Sequence, residues 1–383
     1  LSQMKFKQLG FSLKRSLEAL VFLAIFFIVF GYVGNKMGLA NMLNTIMKTA
    51  YDLLINTVLY LMAITVLSGA LGKLLVEFGV VRLLEQILRP FMKPLFNLPG
   101  VSALGGVVTF LSDNPAIITL AKDKNFSLYF KKYQLVSLTN FGTAFGMGLI
   151  VIVFMTGLGY GTGALIGFAG AIIGSIISTR LMQTFTIRAY PEMKEAVGDG
   201  GNEEAISYKS EGNVFMRILN SILDGGKNGV EIGLAIIPGV LVISTFVMML
   251  TFGPSKTGEF TGAAYEGVAA LPYLAGKINV VFEWLFGFEH TELVAFPITS
   301  LGAVGAALSL MPRFIEDGLV NGNAIAVCTA MGMCWSGFLS THTAMLDSLG
   351  YRKLISKAIL AHTIGGLFAG VAAHWLYVLF SLL

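Results

Sequence analysis

From Tyr133 to Thr179 the chain carries no charged side chain. A helix crosses a bilayer in about 20 apolar residues, so this run is long enough for two crossings, and it contains its own turn. That turn is Gly157-Leu-Gly-Tyr-Gly-Thr-Gly163, where repeated glycine interrupts a helix and lets the backbone reverse. Further uncharged runs extend from Ala19 to Asn35, Leu53 to Gly72, Ile232 to Ser255, Gly318 to Thr341 and Ala358 to Leu383. Together they predict about seven transmembrane helices. Composition agrees: 55% of the 383 residues are hydrophobic and 13% are charged, about half the charge of a soluble domain. Soluble, collagen-like, disordered and disulfide-built chains are excluded.

Two more apolar stretches, Leu98 to Leu120 and Leu293 to Pro312, are long enough to cross but are interrupted. Ser112-Asp-Asn-Pro115 breaks the first, and Pro297, Gly302 and Gly305 break the second. Irregular backbone at membrane depth survives only where protein covers it or a cavity is lined by it, so both read as re-entrant helical hairpins. The distribution of basic residues supports this, because Lys and Arg gather on the cytoplasmic side of short loops. With hairpins, all but Lys36, Lys48, Lys256, Lys277 and Arg313 of the 26 basic residues fall on one side. Had the first hairpin crossed, the cluster of Lys122, Lys124, Lys131 and Lys132 would lie on the other side. The expected protein is therefore a multi-pass protein of the plasma (inner) membrane, with its N-terminus cytoplasmic and its C-terminus outside. Its net charge of +4 is a topological signal, not a nucleic-acid footprint, and no nucleic-acid partner is expected. The first span lacks a cleavage site, and a chain opening on Leu1 leaves room for a missing native start. Cys328 and Cys334 share one span without metal spacing and read as packing residues.

The chain also repeats itself. Asp52 to Met182 can be laid over Asn228 to Leu383 as span, amphipathic stretch, hairpin, glycine-rich span and last span. The amphipathic stretches are Leu84 to Phe96 and Leu274 to Phe286. Ser137 to Gly146 of the first copy answers Gly332 to Thr343 of the second. Three crossings per copy is an odd number, so the copies have opposite orientation. Inverted repeats of this kind place a substrate near the midplane, between paired broken helices. The implied organisation is an N-terminal segment and first helix over 1–45, a first repeat over 46–187, a cytoplasmic linker over 188–227 and an inverted second repeat over 228–383.

Within this frame a few residues can carry chemistry. Asp113 is the sole acid of the first hairpin, and a charge at bilayer depth costs about 2.5–3.5 kcal/mol. Either it meets a substrate or cation, or Asp113 or Asn114 caps the helix that Pro115 opens. Thr139, Asn140 and Thr143 in one interrupted span, and Ser336, Ser340 and Thr341 in the other, offer oxygens to a hard cation or a polar substrate. Equally, small polar residues let helices pack closely. All four histidines lie in the second copy. His342, just past Ser336-Gly337, could bind substrate or relay a proton, against the commoner structural role of a lone histidine. His290 beside Glu289 and Glu292 could gate the outer end, and His374 beside Trp375 reads as interfacial.

The doubled order of hairpin, interrupted span and span resembles the concentrative nucleoside transporter fold and the wider group carrying the nucleoside-recognition gate domain. Phe110-Leu-Ser-Asp-Asn-Pro-Ala-Ile-Ile118 stands where that family has its first hairpin tip, and Leu88 to Gly100 looks like the gate proteins. The family's Gly-Gln-Thr-Glu-Ala-Pro tip is replaced here by Ser-Asp-Asn-Pro-Ala, without the glutamate. Thr291-Glu-Leu-Val-Ala-Phe296 looks like the family's Asn-Glu-Phe-Val-Ala-Tyr motif. The internal repeat, aligned through Leu95-Phe96 and Leu285-Phe286, instead puts the second tip near Thr299 to Gly305 and leaves Glu292 near the outer end.

The resemblance implies a non-enzymatic secondary active transporter that moves a small polar organic solute by an elevator-type motion, coupled to sodium or protons. The solute is nucleoside-like, amine or amino acid-like, and Asp113 in place of a neutral residue favours a positive charge. Expected substrate contacts are Asp113, Asn114, Asn140, Glu292, Ser336 and His342; expected cation ligands are Thr139, Thr143, Ser340 and Thr341. No resident cofactor or metal is expected, and the partners are the substrate, the lipid bilayer and further copies of the chain in a dimer or trimer. The alternatives are an ion or metal permease, as gate-like segments also occur in ferrous-iron transport proteins, and a membrane enzyme, for which no nucleophile and base can be placed.

Overall fold

The computed structural model describes residues 2–195 and 213–382. Part of the expected linker, 196–212, lies outside them, as do the side chains of Lys5, Lys7 and Lys14. The fold is all-α, with no strand among the described residues. Seven helices are long and apolar enough to cross a membrane: Arg15–Met37, Leu39–Glu77, Lys132–Gly157, Gly161–Ala189, Val214–Thr251, Gly322–Ser348 and Arg352–Ser381. They are the first to seventh spans below.

Several spans outrun the uncharged stretches that predict them. Val214 to Lys227, expected as linker, belongs to the first half of the fifth span. Its charges, Asp224, Lys227 and Glu231, are exposed, while Ser221, Gly225, Gly229 and Gly233 form a buried stripe at helical spacing. Counting charges cannot see such a stripe. Likewise the expected boundary at residue 45 falls inside the second span, which starts at Leu39 after a turn at Gly38.

The spans pack in pairs that join the two copies: the second span lies along the fifth, and the fourth along the seventh. Both seams are built from small residues, which let backbones approach where lipid offers no hydrophobic drive for association. A Cβ on Gly229 would stand 2.3 Å from the Thr65 carbonyl oxygen, and one on Gly174 would stand 2.6 Å from that of Gly365. The Thr65 hydroxyl donates to the Gly229 carbonyl oxygen at 2.7 Å. At the end of the first seam, Arg217 bonds Glu77 at 2.7 Å and lies 4.9 Å over the Phe78 ring.

Both short apolar stretches are hairpins. The first runs Ser102–Leu111, turns at Ser112 to Asn114 and returns as Pro115–Lys122. Its two feet share one end of the molecule: the Asn97 amide reaches the Tyr133 hydroxyl, and Gln134 donates to the Asn97 carbonyl oxygen at 2.7 Å. The second comprises Thr291–Val294, Ala295–Ser300 and Val304–Leu308, with feet joined at the opposite end through Asn321 and Glu289. Pro297 does not break it. A single-turn helix ends at Val294, so Pro297 sits in the first turn of the next one, where no backbone N–H is needed. The break is Leu301 to Ala303, within the stretch set by the repeat register. The amphipathic stretch ahead of each hairpin is helical, as Val80–Phe91 with a π-turn Met92–Phe96, and as Ala270–Gly276 followed by Asn279–Phe286.

The third and sixth spans are each interrupted, at Ala144 to Met147 and at Ser336 to Gly337. Met147 (φ 57°) and Gly337 (φ 60°) take the left-handed conformation at equivalent places. This corrects the match of Ser137 to Gly146 with Gly332 to Thr343. Thr139, Asn140 and Thr143 precede their break, whereas Ser340 and Thr341 follow theirs, because similarity of hydroxyl residues misses where the backbone actually turns.

Gly229→Val is expected to cost about 1–3 kcal/mol, since its Cβ would meet backbone that cannot yield, and to lower the thermal unfolding midpoint in detergent. Gly226→Ala, whose Cβ would meet only a Val66 methyl at 3.6 Å, should leave it unchanged.

Candidate functional site

The hairpin tips approach from opposite ends and meet. Asp113 and Asn114 of the first tip, Gly302 to Gly305 of the second, and Ser336, Gly337, Ser340 and Thr341 of the sixth span line a cavity of about 490 Å³. Ile232, Ile236, Gly239 and Ile243 of the fifth span close its other wall, where that span contains a π-helical segment, Gly239–Ser244. Such segments recur at functional sites. Among the described residues, Asp113 is the only titratable side chain on the cavity wall, and no aromatic ring lines it.

Local chemistry fixes the first tip. Pro115 occupies the first position of its helix, but neither Asp113 nor Asn114 caps that helix through its side chain. The Asp113 carboxylate accepts only the Asn114 amide N–H, at 2.7 Å. The Asn114 carboxamide donates to the Ser336 carbonyl oxygen at 2.6 Å, crossing from one copy to the other. Gly146 makes this possible, since a Cβ there would lie 2.1 Å from Asn114 Oδ1. That oxygen is buried and accepts no hydrogen bond from the described residues, and neither does the buried Thr143 hydroxyl. An unpaired buried polar atom costs about 1–3 kcal/mol.

Of the expected site residues, Asp113, Asn114, Ser336, Ser340 and Thr341 converge on the cavity. The Ser340 and Thr341 hydroxyls bond the Gly337 carbonyl oxygen, at 2.9 and 3.1 Å. Glu292, Asn140, Thr139, Thr143 and His342 do not line it. Glu292 stays at the foot of its hairpin, in the turn before Ala295. Asn140 faces the fourth and seventh spans, donating to the Ser178 hydroxyl at 2.9 Å and to the Ala358 carbonyl oxygen at 3.0 Å. Thr139 lies 3.3 Å from His342 Nδ1, one layer behind the wall formed by Ser340, Thr341 and Ala344.

That layer holds two residues to which sequence reasoning assigns no function, Ser178 and His362. His362 Nε2 bonds the Cys334 carbonyl oxygen, and Nδ1 lies 3.1 Å from the Ser178 hydroxyl. A carbonyl only accepts, so Nε2 carries the proton and Nδ1 accepts from Ser178. Ser178 in turn accepts from Asn140. The chain of bonds runs from the third span through the fourth and seventh to Cys334, two residues before the break at Ser336. It thereby fixes the carbonyl that Asn114 grips. The His342 ring meets His362 edge-on at 4.6 Å, and its Nε2 has no hydrogen-bond partner among the described residues. The only sequence trace of this layer is the spacing of Gly170, Gly174 and Ser178 on one helix stripe.

Residues 54–159 match the family model Gate, described as nucleoside recognition. The chain carries a gate domain. The match contains the first hairpin and the interrupted third span, so the gate domain supplies Asp113, Asn114 and the Gly146 turn. An uncharacterized protein of Alkalihalophilus pseudofirmus is 27% identical over 222 residues, covering 54% of this chain and 47% of that one. The sporulation integral membrane protein YlbJ of Bacillus subtilis is 44% identical over 46 residues, 12% of this chain and 11% of that one. The matched region thus spans less than half of either curated relative. Among solved structures, a doubly substituted CNTnw in an outward-facing state superposes with a TM-score of 0.55 at 13% identity, over 95% of this chain and 85% of that one. CNTnw in an inward-facing substrate-bound state gives 0.54 at 13% identity, over 94% and 86%. Around its gate domain the chain therefore has the fold of a concentrative nucleoside transporter.

Ser178→Ala would leave the Asn140 amide and His362 Nδ1 without their shared partner. It is expected to cost about 1–3 kcal/mol, read as a lowered thermal unfolding midpoint, whereas Ser381→Ala, at an exposed helix end, should change nothing.

Proposed function

We propose that this protein is a secondary active transporter of a small polar organic solute bearing a positive charge, amine or amino acid-like rather than nucleoside-like. The supporting observation is the meeting of two oppositely oriented hairpin tips and an interrupted span around one cavity whose single titratable group is a carboxyl. Aliphatic walls without an aromatic ring offer a nucleobase no stacking surface, while Asp113 can pair with an ammonium group. The Asn114 backbone N–H positions that carboxyl, and Ser340 and Thr341 offer hydroxyl oxygens to the solute.

Coupling is to sodium or protons. The Asn114 Oδ1 and Thr143 oxygens, buried and unpaired among the described residues, have the chemistry of hard-cation ligands; His342 is the candidate for a proton. An elevator motion suits the division of the chain, because the hairpins rest on the paired second and fifth spans mostly through small and aliphatic contacts. Gly239 faces Ala303 and Ala306, and a Cβ on Gly72 would stand 3.1 Å from the Leu111 carbonyl oxygen. Sliding must also release Arg313, which follows the second hairpin and lies 5.7 and 5.5 Å over the Phe252 and Tyr265 rings. Such contacts contribute about 0.5–1 kcal/mol each where exposed.

Uptake into proteoliposomes tests the reading, with a panel of amines, amino acids and nucleosides under imposed sodium or pH gradients. Saturable accumulation of a cationic solute driven by one gradient is expected. Asp113→Asn should weaken it about tenfold or more, a loss of about 1.4 kcal/mol or more. Gly146→Ala should match Asn114→Ala, since both remove the same contact. Silence toward every solute in folded protein would overturn the proposal, and metal flux without solute uptake would favour a permease.

A further inference from the structure

A second cavity, of about 680 Å³, shares no lining residue with the first. Its wall carries Lys132, Arg352 and Lys353, the rings of Tyr190 and Tyr351, and one acid, Glu192. Lys132 opens the third span, Arg352 opens the seventh, and Tyr190 follows the last residue of the fourth. Three spans therefore end around it, at the depth where lipid headgroups meet water and where tyrosine is favoured.

A rigid turn sets the backbone from which two of these cations project. The sixth span ends at Ser348, Gly350 takes φ 80°, the Tyr351 N–H donates to the Leu346 carbonyl oxygen at 2.7 Å, and the Gly350 N–H donates to that of Asp347 at 3.1 Å. This is a Schellman closure, and it sets Tyr351, Arg352 and Lys353 at the rim. Among the described residues their partners are few. Lys132 is paired with Glu195 at 3.0 Å. Arg352 has only Asp347, at 3.8 Å, beyond hydrogen-bond reach, and Lys353 has no ion pair among the described residues. With Glu192, Glu195 and Asp347 counted the charges balance, but among the described residues neither Arg352 nor Lys353 has an acid within hydrogen-bond reach, in a concave site walled by two phenols.

We propose that this cavity binds a phosphate group, carried either by an anionic phospholipid headgroup or by a soluble phosphate. A guanidinium grips two phosphate oxygens at once, the Lys353 ammonium and the tyrosine hydroxyls donate to the others, and basic pockets between spans suit lipid headgroups. The proposal does not rest on the transport reading.

The full chain, delipidated in neutral detergent, is heated with increasing phosphatidylglycerol, phosphatidylcholine or inorganic phosphate, and bound lipid is counted by native mass spectrometry. Stabilisation by phosphatidylglycerol alone identifies a lipid site; stabilisation by inorganic phosphate as well identifies a soluble one. In either case the double change Arg352→Gln with Lys353→Gln should raise the half-saturating concentration about tenfold or more. Lys122→Gln with Lys124→Gln, an equal loss of charge at the same end of the molecule, should not. The charge-preserving pair Arg352→Lys with Lys353→Arg should retain binding, which separates a lost ligand from a lost fold. No stabilisation by either anion, or equal loss in both Gln doubles, would overturn the proposal.

Discussion

Within a bilayer every backbone N–H and C=O must find its partner inside the protein, and the contact between the Asn114 carboxamide and the Ser336 carbonyl oxygen is where this structure meets that demand most directly. An interrupted helix leaves carbonyls and amides free at its break. Here the break of the sixth span is satisfied by a side chain from the tip of the first hairpin, itself another break. The first copy thus completes a defect of the second. Gly146, with no Cβ, allows the approach, and the network through Asn140, Ser178 and His362 holds Cys334 and so the turn beyond it.

From this constraint the division of the chain follows. Backbones in contact along Gly69, Gly225 and Gly229 make the second and fifth spans one unit, and Gly170, Gly174 and Gly365 do the same for the fourth and seventh. Close-packed seams resist sliding because moving them would place atoms inside one another. The boundary between the hairpins and the second and fifth spans is lined mostly by small or aliphatic groups, crossed by the Ser244 hydroxyl that donates to the Ala306 carbonyl oxygen at 2.9 Å, and the cavity lies along it. A membrane protein that must expose one site to two sides needs such an inequality between its interfaces. The cavity at the ends of the third, fourth and seventh spans lies apart from that boundary and shares no lining residue with the first.

Much of this was legible in the residues. Uncharged runs located seven spans, and Ser112-Asp-Asn-Pro115 marked the first hairpin tip because a charge followed by proline cannot continue an apolar helix. The repeat register, not the Thr291 to Phe296 motif, located the second tip. Other features were hidden for definite reasons. The first half of the fifth span was obscured because its exposed charges mask a buried glycine stripe. Pro297 misled because a proline breaks a helix only beyond its first turn. Asn140, Thr139 and His342 have the chemistry of ligands, yet they face neighbouring helices one layer behind the cavity, and side-chain direction around a helix differs by about 100° between adjacent residues.

What the sequence determined by itself was therefore the solvent, the number of crossings, the inverted repeat and the one acid that a bilayer tolerates only for a reason. These follow from hydropathy and charge, which act residue by residue. Tertiary structure decided which polar groups share a cavity, that Asn114 reaches Ser336 across the copies, and that Ser178 and His362 stand behind the wall. Such pairings join residues far apart in the chain and depend on angles and close approaches of about an ångström, which no local pattern encodes.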